Sequence, residues 1–229
     1  MNRILASRWT KAVLFLLCLV PAANIAGNLT RVYRGEFLGA ASANPIEYIT
    51  HGTGDWTIRF LLIALAITPL RYLLNRPQIT RFRRMLGLFA FFYGLLHVMT
   101  WVWLDRFFDP AGIWAGMWED VSKRPYITVG MLGFLIMVPL AATSTNGMVR
   151  RLTWKRWQKL HRIVYLAPAA GVVHYWWLVK SDIREPLMYG AFLAVAVMFR
   201  LVLWTRLAKA TPRRVPATDA SAKREIVVK

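Results

Sequence analysis

Residues 157–180, WQKLHRIVYLAPAAGVVHYWWLVK, read as one membrane-spanning helix with a histidine near each end, His161 and His174. Thirteen residues at about 1.5 Å each set the two imidazoles about 20 Å apart along the axis. Ionisable side chains are costly inside a bilayer, and those found there mark functional positions. A third histidine, His97, lies in another apolar run, LLHVMTWVW at 95–103. Neutral imidazole is a good iron ligand, and facing helices of a bundle are a usual place to hold a cofactor.

The rest of the chain has the same character. Of 229 residues 57% are hydrophobic, 14% aromatic and only 18% charged, which excludes an ordinary soluble domain. The expected fold is all-α: an integral membrane bundle of six spans, at about 12–26, 56–74, 85–104, 126–143, 157–180 and 187–204. Residues 1–205 form the membrane domain and 206–229 a basic, disordered cytoplasmic tail. The first stretch, with Arg3, Arg8 and Lys11 before it and Pro-Ala-Ala after, resembles a secretory signal. It is read as a retained helix because an even number of spans fits the charges, and Pro21 is expected to kink or end it. Residues 29–55 read as a polar loop, with His51 as a turn residue.

The net charge of +19 is unevenly placed. The N-terminus, loops 75–84 and 143–160 and the tail hold 19 Lys and Arg, the other three loops 7, and nine of the eleven acids lie in that second set. The positive-inside rule then puts both termini in the cytoplasm and, in a bacterial inner membrane, the acidic loops in the periplasm. Basic residues confined to alternate loops exclude a nucleic-acid partner and leave membrane lipid. Cys18 stands alone in an apolar run, so no disulfide or zinc framework can be built. In the loop 105–125, Ile113, Trp114, Met117 and Trp118 are spaced as one face of an interfacial helix. Its acids Asp105, Asp109, Glu119 and Asp120 are candidates for docking a periplasmic partner.

Depth brings two of the histidines together. His97 lies seven residues before Leu104 and His174 six before Lys180, each about 10 Å below the outer end of its helix. Matched depth on two helices is what one bis-histidine haem b requires, and two imidazoles on iron favour electron transfer over oxygen binding. Gly94 and Gly171 each precede their histidine by three residues, on the same helix face, leaving room for a flat macrocycle. The plainer alternative is that these histidines and glycines serve helix packing. His161 is at the cytoplasmic end and about 220° round an ideal helix from His174, so they share a face only if Pro168 distorts the helix. It either ligates a second haem or contacts a propionate or headgroup. Arg83, Arg84 and Arg156 at that end suit a propionate or a flavin phosphate, though topology alone also accounts for them.

Four ordered stretches carry a family resemblance: HGTGDWTIRFLLIALAITPLR at 51–71, RRMLGLFAFFYGLLHVMTW at 83–101, KRPYITVG at 123–130 and the opening stretch. Over about residues 45–205 the chain resembles the MsrQ family, within the ferric-reductase-like transmembrane group. The resemblance implies a six-helix inner-membrane cytochrome b binding haem b, with FMN also described for the family. It implies electrons taken from the quinone pool or a flavin reductase. Their implied acceptor is MsrP, a periplasmic molybdopterin enzyme that reduces methionine sulfoxide in oxidised proteins. His97, His161 and His174 match the family's histidines. The wider oxidase group has a further histidine where Arg83 stands, so a second bis-histidine pair is incomplete here.

No dinucleotide fingerprint follows the last span, and no carboxylate pair or nucleophile triad has a credible context. An electron-transfer subunit, not the catalytic one, is therefore expected. The rivals are a self-sufficient ferric or cupric reductase and a non-redox membrane scaffold or transporter.

Overall fold

The computed structural model describes residues 7–104, 113–179 and 181–210. Its long helices are α1 (Arg8–Tyr33), α2 (Pro45–Leu73), α3 (Arg83–Met99), α4 (Ile113–Lys123), α5 (Pro125–Ala142), α6 (Trp154–His161), α7 (Leu166–Leu178) and α8 (Arg184–Ala210). A 3-10 segment Pro77–Phe82 leads into α3, and a π turn Thr100–Leu104 continues it. Among the described residues, five helical segments are long and apolar enough to cross a membrane: Arg8–Tyr33, Pro45–Leu73, Pro77–Trp103, Pro125–Ala142 and Arg184–Arg206.

The expected span at 157–180 is helical but broken. Helix α6 gives way to a 3-10 segment, Arg162–Tyr165, before α7 begins. Pro168, in the first turn of α7, explains the break, since it has no N–H for the Val164 carbonyl and its ring crowds that turn. The last helix runs to Ala210, so a boundary at 205 falls inside a helix, and residues 211–229 lie outside the described residues.

The polar loop expected at 29–55 is mostly helix. Helix α1 continues to Tyr33 and α2 begins at Pro45, leaving a connection with a single helical turn, Ala40–Ala43. Asn44 caps α2 by accepting the Glu47 N–H at 3.1 Å, and Pro45 is pre-shaped for the first turn. The threonines that gave the stretch its loop-like look bond back into the helix: Thr50 to the Ile46 carbonyl, Thr53 to Ile49 and Thr57 to Thr53, at 2.7–2.8 Å. His51 is therefore a helical residue, about half exposed and 3.8 Å from Glu47 one turn earlier.

Nor does Pro21 end α1. The hydroxyl of Tyr93, fully buried on α3, accepts the Ala22 N–H at 3.0 Å and donates to the Cys18 carbonyl at 2.8 Å. Those two backbone groups are the pair that would bond each other in an unbroken helix, so Tyr93 is inserted into the ladder beside the proline and fastens α1 to α3. Replacing Tyr93 with Phe removes both of these hydrogen bonds, and with them the polar tie between α1 and α3. The expected loss is about 1–3 kcal/mol, read as a lowered unfolding midpoint of the detergent-solubilised protein.

Helices α2 and α3 form the centre. Phe60 stacks on Tyr93 with ring centres 5.3 Å apart, and Phe15 of α1 meets Phe89 edge-on at 5.0 Å. Phe91 of α3 stacks on Phe134 of α5 at 5.6 Å, joining the second helix pair, α5 and α7. That pair approaches closely through small residues: a Cβ on Gly133 would lie 3.2 Å from the Ala170 methyl. Helix α8 closes the bundle through Arg59 Nε donating to the Tyr189 hydroxyl (2.9 Å) and Arg200 donating to Thr68 (2.7 Å). Its Phe192, Val195 and Met198 stay exposed, as suits a surface bathed in lipid.

Candidate cofactor site

Helix α3 carries His97 and α7 carries His174, and the fold brings the two rings to 6.1 Å between centres with their planes 82° apart. Two metal–nitrogen bonds of about 2 Å, plus about 1.1 Å from each nitrogen to its ring centre, give roughly 6 Å. The spacing is therefore that of two imidazoles on opposite sides of one metal.

Hydrogen bonding fixes which nitrogen faces inward. His97 Nδ1 lies 2.9 Å from the Thr50 carbonyl of α2, and His174 Nδ1 lies 2.6 Å from the Tyr126 carbonyl of α5. A carbonyl only accepts, so Nδ1 carries the proton in both rings and the lone pair is left on Nε2. Such a bond also orients a ligand ring and raises its basicity.

Both carbonyls are reachable for the same reason. Each lies four residues before a glycine, Thr50 before Gly54 and Tyr126 before Gly130. In a helix the Cβ at i+4 leans back over the carbonyl at i. A Cβ on Gly54 would sit 3.1 Å from His97 Nδ1 and Cε1, and one on Gly130 only 2.7 Å from His174 Nδ1. The same device is thus built twice, once in α2 for the α3 histidine and once in α5 for the α7 histidine. The sequence reading missed these glycines. Their only signal was a glycine four residues after the start of a helix turn, which has no meaning until the neighbouring helix is known.

Between the rings lies a cavity of about 260 Å³, mostly apolar, with Gly54, Gly94, Gly130, Gly133 and Gly171 in its walls. Gly171 opens onto it as expected, its nearest neighbour being Ile58 Cδ1 at 3.8 Å. Gly94 is instead covered by Met137, whose Cε would be 2.9 Å from an added Cβ. Trp101, in the π turn, also lines the cavity, and its Nε1–H is buried with no hydrogen-bond partner among the described residues. Arg124, which pairs with Asp120 at 3.4 Å, contributes to the same wall. An apolar slot, two imidazoles with Nε2 left for a metal, and an indole donor and a guanidinium in the same walls suit a flat metal macrocycle with carboxylate arms. If the indole N–H serves such an arm, Trp101→Phe costs roughly 1 kcal/mol of cofactor retention. The check is a few-fold faster transfer of haem to an acceptor globin.

His161 is placed differently. Its ring stacks on Trp157 at 3.9 Å, its Nδ1 donates to the Trp157 carbonyl at 3.1 Å, and its Nε2 lies 3.4 Å from Ser144 Oγ. That hydroxyl gives its one proton to the Leu140 carbonyl at 2.6 Å, so it has none for Nε2. Arg83 is half-buried and within electrostatic reach of His161, Arg200 and Tyr165. Arg84 is exposed and bonds Asn146 Oδ1 at 2.7 Å. Arg83 and His161 are therefore brought together, Arg84 points to a loop, and Arg200 is the member that sequence reasoning missed.

Of the acids considered for docking, Glu119 is exposed and pairs with Lys123 at 2.7 Å, whereas Asp120 is buried and turned to Arg124. Asp105 and Asp109 lie outside the described residues. Trp114 and Trp118 project from α4 at 80% and 75% exposure.

Comparison with known proteins agrees with this architecture. Residues 53–172 match the family described as the ferric reductase like transmembrane component. The chain is 50% identical over 196 residues to a Herminiimonas arsenicoxydans protein, covering 85% of this chain and 84% of that one. It is 46% identical over 201 residues to one from Bordetella pertussis, covering 86% and 90%. It is 44% identical over 215 residues to one from Xanthomonas euvesicatoria, covering 93% and 95%. All three relatives are named protein-methionine-sulfoxide reductase heme-binding subunit MsrQ. With its paired histidines on a multi-pass helical frame, this chain belongs to the MsrQ family of ferric-reductase-like membrane proteins.

Proposed function

We propose that the chain is a haem-bearing electron carrier of the bacterial inner membrane, serving a periplasmic molybdopterin reductase of the MsrP type that repairs methionine sulfoxide. The observation that carries this reading is the facing pair His97 and His174, each with Nε2 free and Nδ1 anchored on a backbone carbonyl. Haem b supplies reversible one-electron chemistry at iron when bound there. His97 and His174 would hold the group through Nε2, while the apolar walls exclude water and the two carbonyl anchors keep the rings from turning.

The six-span topology with both termini cytoplasmic follows from the charge asymmetry, counting α6, the 3-10 segment and α7 as one broken span. It places the histidine pair near the periplasmic side, where an electron is handed to a partner. His161, Arg83 and Arg200 then mark the cytoplasmic side, a setting for a second haem or for FMN, with the arginines facing propionate or phosphate. Quinol in the membrane or a cytoplasmic flavin reductase is the donor.

The test is a reduced-minus-oxidised spectrum of the purified protein, followed by electron delivery to the purified molybdoenzyme. A b-type spectrum and turnover of a methionine sulfoxide substrate support the reading. Absence of bound haem would sink it, and rapid reduction of ferric chelate without any partner would favour a self-sufficient reductase instead.

A further inference from the structure

A second cavity, of about 340 Å³, lies between α1 and α2. The two helices meet beside it, where a Cβ on Gly52 would lie 3.1 Å from Ile25 Cδ1. Leu17 and Val20, 58% and 46% exposed, leave it open sideways to the bilayer. Its lining is sorted by depth. Against the spans at 12–26, 56–74 and 187–204, Asn24 and Asp55 stand within about 3 Å of the outer edge of the hydrocarbon. Arg59 and its partner Tyr189 begin about 3–5 Å inside that edge. Val20 and Leu17 are deeper, at about 9–14 Å. The polar floor is thus at headgroup depth and the apolar mouth at acyl-chain depth. An acid and a guanidinium inside a span are expensive unless they face a polar cavity or a ligand.

Much of the hydrogen-bonding capacity there is unspent. Asp55 Oδ2 meets Arg59 Nη2 at 3.5 Å, a long contact, while Asp55 Oδ1 has no partner among the described residues. Arg59 Nε donates to the Tyr189 hydroxyl at 2.9 Å, which steadies the guanidinium and leaves its Nη1 donors to be used. The same guanidinium lies 5.1 Å from the Trp56 ring centre, so that aromatic face is already covered by a cation. A carboxylate and a guanidinium one helical turn apart call for a ligand that carries both signs of charge. Their order matters as well. Helix α2 runs inward, so the acid is the outer group and the base the inner one, by about 6 Å. The phosphoethanolamine head of an outer-leaflet lipid has the same order: ammonium outermost, phosphate next, acyl chains deepest.

We infer that this cleft binds one aminophospholipid of the outer leaflet, its primary ammonium on Asp55 and its phosphate on Arg59. The ammonium donates to Asp55 Oδ1 and to the Asn24 side-chain oxygen, and Arg59 Nη1 donates to a phosphate oxygen. An acyl chain then runs down past Val20 and Leu17. The same residues decide what is turned away. A quaternary ammonium has no N–H for Asp55, and the Trp56 face that could receive it instead is covered by Arg59. An anionic headgroup without an amine sets a second negative charge against Asp55 with nothing to offset it. A lipid held in this way joins α1 to α2 where their own side chains leave a gap. The inference goes beyond the electron-carrier reading and draws from it only the orientation of the chain.

The experiment is native mass spectrometry of the full chain with its cofactor, in mild detergent, equilibrated with equal amounts of dioleoyl phosphatidylethanolamine, phosphatidylcholine and phosphatidylglycerol. One phosphatidylethanolamine per chain is expected to be retained, with a preference over each of the others of about tenfold, the scale of one charge-assisted hydrogen bond. N,N-dimethyl phosphatidylethanolamine, which keeps one N–H, is expected to be retained as well, so that the drop comes at the third methyl. Asp55→Asn should bring the three lipids to near parity, and Val20→Trp, which plugs the mouth, should remove the retained lipid. Soluble phosphoethanolamine is expected not to displace it, having no acyl chain for Leu17 and Val20. Equal retention of all three lipids by the wild type marks ordinary boundary lipid and overturns the inference. So does an unchanged preference in either variant, displacement by the soluble headgroup, or a lipid of another class retained in its place. The wild-type series decides the matter even where a variant fails to fold. A preparation without haem would remove the carrier reading and leave the lipid series to decide the cleft.

Discussion

His97→Ala and His174→Ala are each expected to abolish the b-type spectrum of the purified protein, while His161→Ala keeps it and loses at most a separate, second component. The asymmetry follows from what each imidazole touches. His97 and His174 face one another at 6.1 Å between ring centres, each with Nδ1 anchored on a backbone carbonyl, so that Nε2 is the nitrogen left to ligate. His161 stacks on Trp157 and anchors its Nδ1 on the Trp157 carbonyl, at the opposite end of a broken helix from the pair. Loss of one axial ligand should also release the other ring's constraint, so the double variant adds nothing to either single. The angle between the rings gives a second readout. Imidazole planes 82° apart leave the two iron d-orbitals that overlap them nearly equal in energy. The ferric protein is therefore expected to show a single large-g low-spin EPR signal, not the rhombic spectrum of parallel planes. A rhombic spectrum would mean the rings rotate on binding, against the two Nδ1 anchors.

How far the chain could be read before folding depended on which physical signal each residue carries. Hydropathy is additive along a helix, so the long apolar segments and the depth of His97 and His174 could be counted from the residues alone. Register between helices is not additive. Nothing in the local sequence says that the Thr50 and Tyr126 carbonyls serve imidazoles, because the donors are 47 and 48 residues away and the acceptors are backbone. His51 went to a loop because Gly, Thr and Asp are turn formers in water. Along α2 the threonines satisfy themselves by bonding back to the helix, and Gly54 is kept for what lies beside it. Pro21 was legible as a disturbance but not as a joint, since the hydroxyl that repairs the ladder comes from Tyr93, 71 residues on. The Pro168 distortion was legible because its cause is local.

The same logic makes Gly130→Ala the most telling small substitution. An added methyl would stand 2.7 Å from His174 Nδ1 and 3.0 Å from Cε1, closer than carbon and nitrogen can approach without movement. The ring cannot yield cheaply: turning it away breaks the 2.6 Å bond to the Tyr126 carbonyl and swings Nε2 off the line to His97. Backing α5 off instead would open its close packing on α7 at Gly133 and Ala170. Losing an anchor of this kind commonly costs about 10–100-fold in metal affinity, and the expected result is haem loss on that scale. Gly54→Ala should be milder, since 3.1 Å to His97 can be relieved by a shift of a few tenths of an ångström. Gly87→Ala, also in a helix but with nothing within 4 Å, is the control, expected to gain about 0.5–1 kcal/mol of helix stability and leave the spectrum unchanged. Equal haem content in the Gly130, Gly54 and Gly87 variants would show that the carbonyl seats are incidental to the site. A graded loss in the order Gly130, Gly54, Gly87 would tie cofactor retention to a backbone contact that no side-chain comparison reveals.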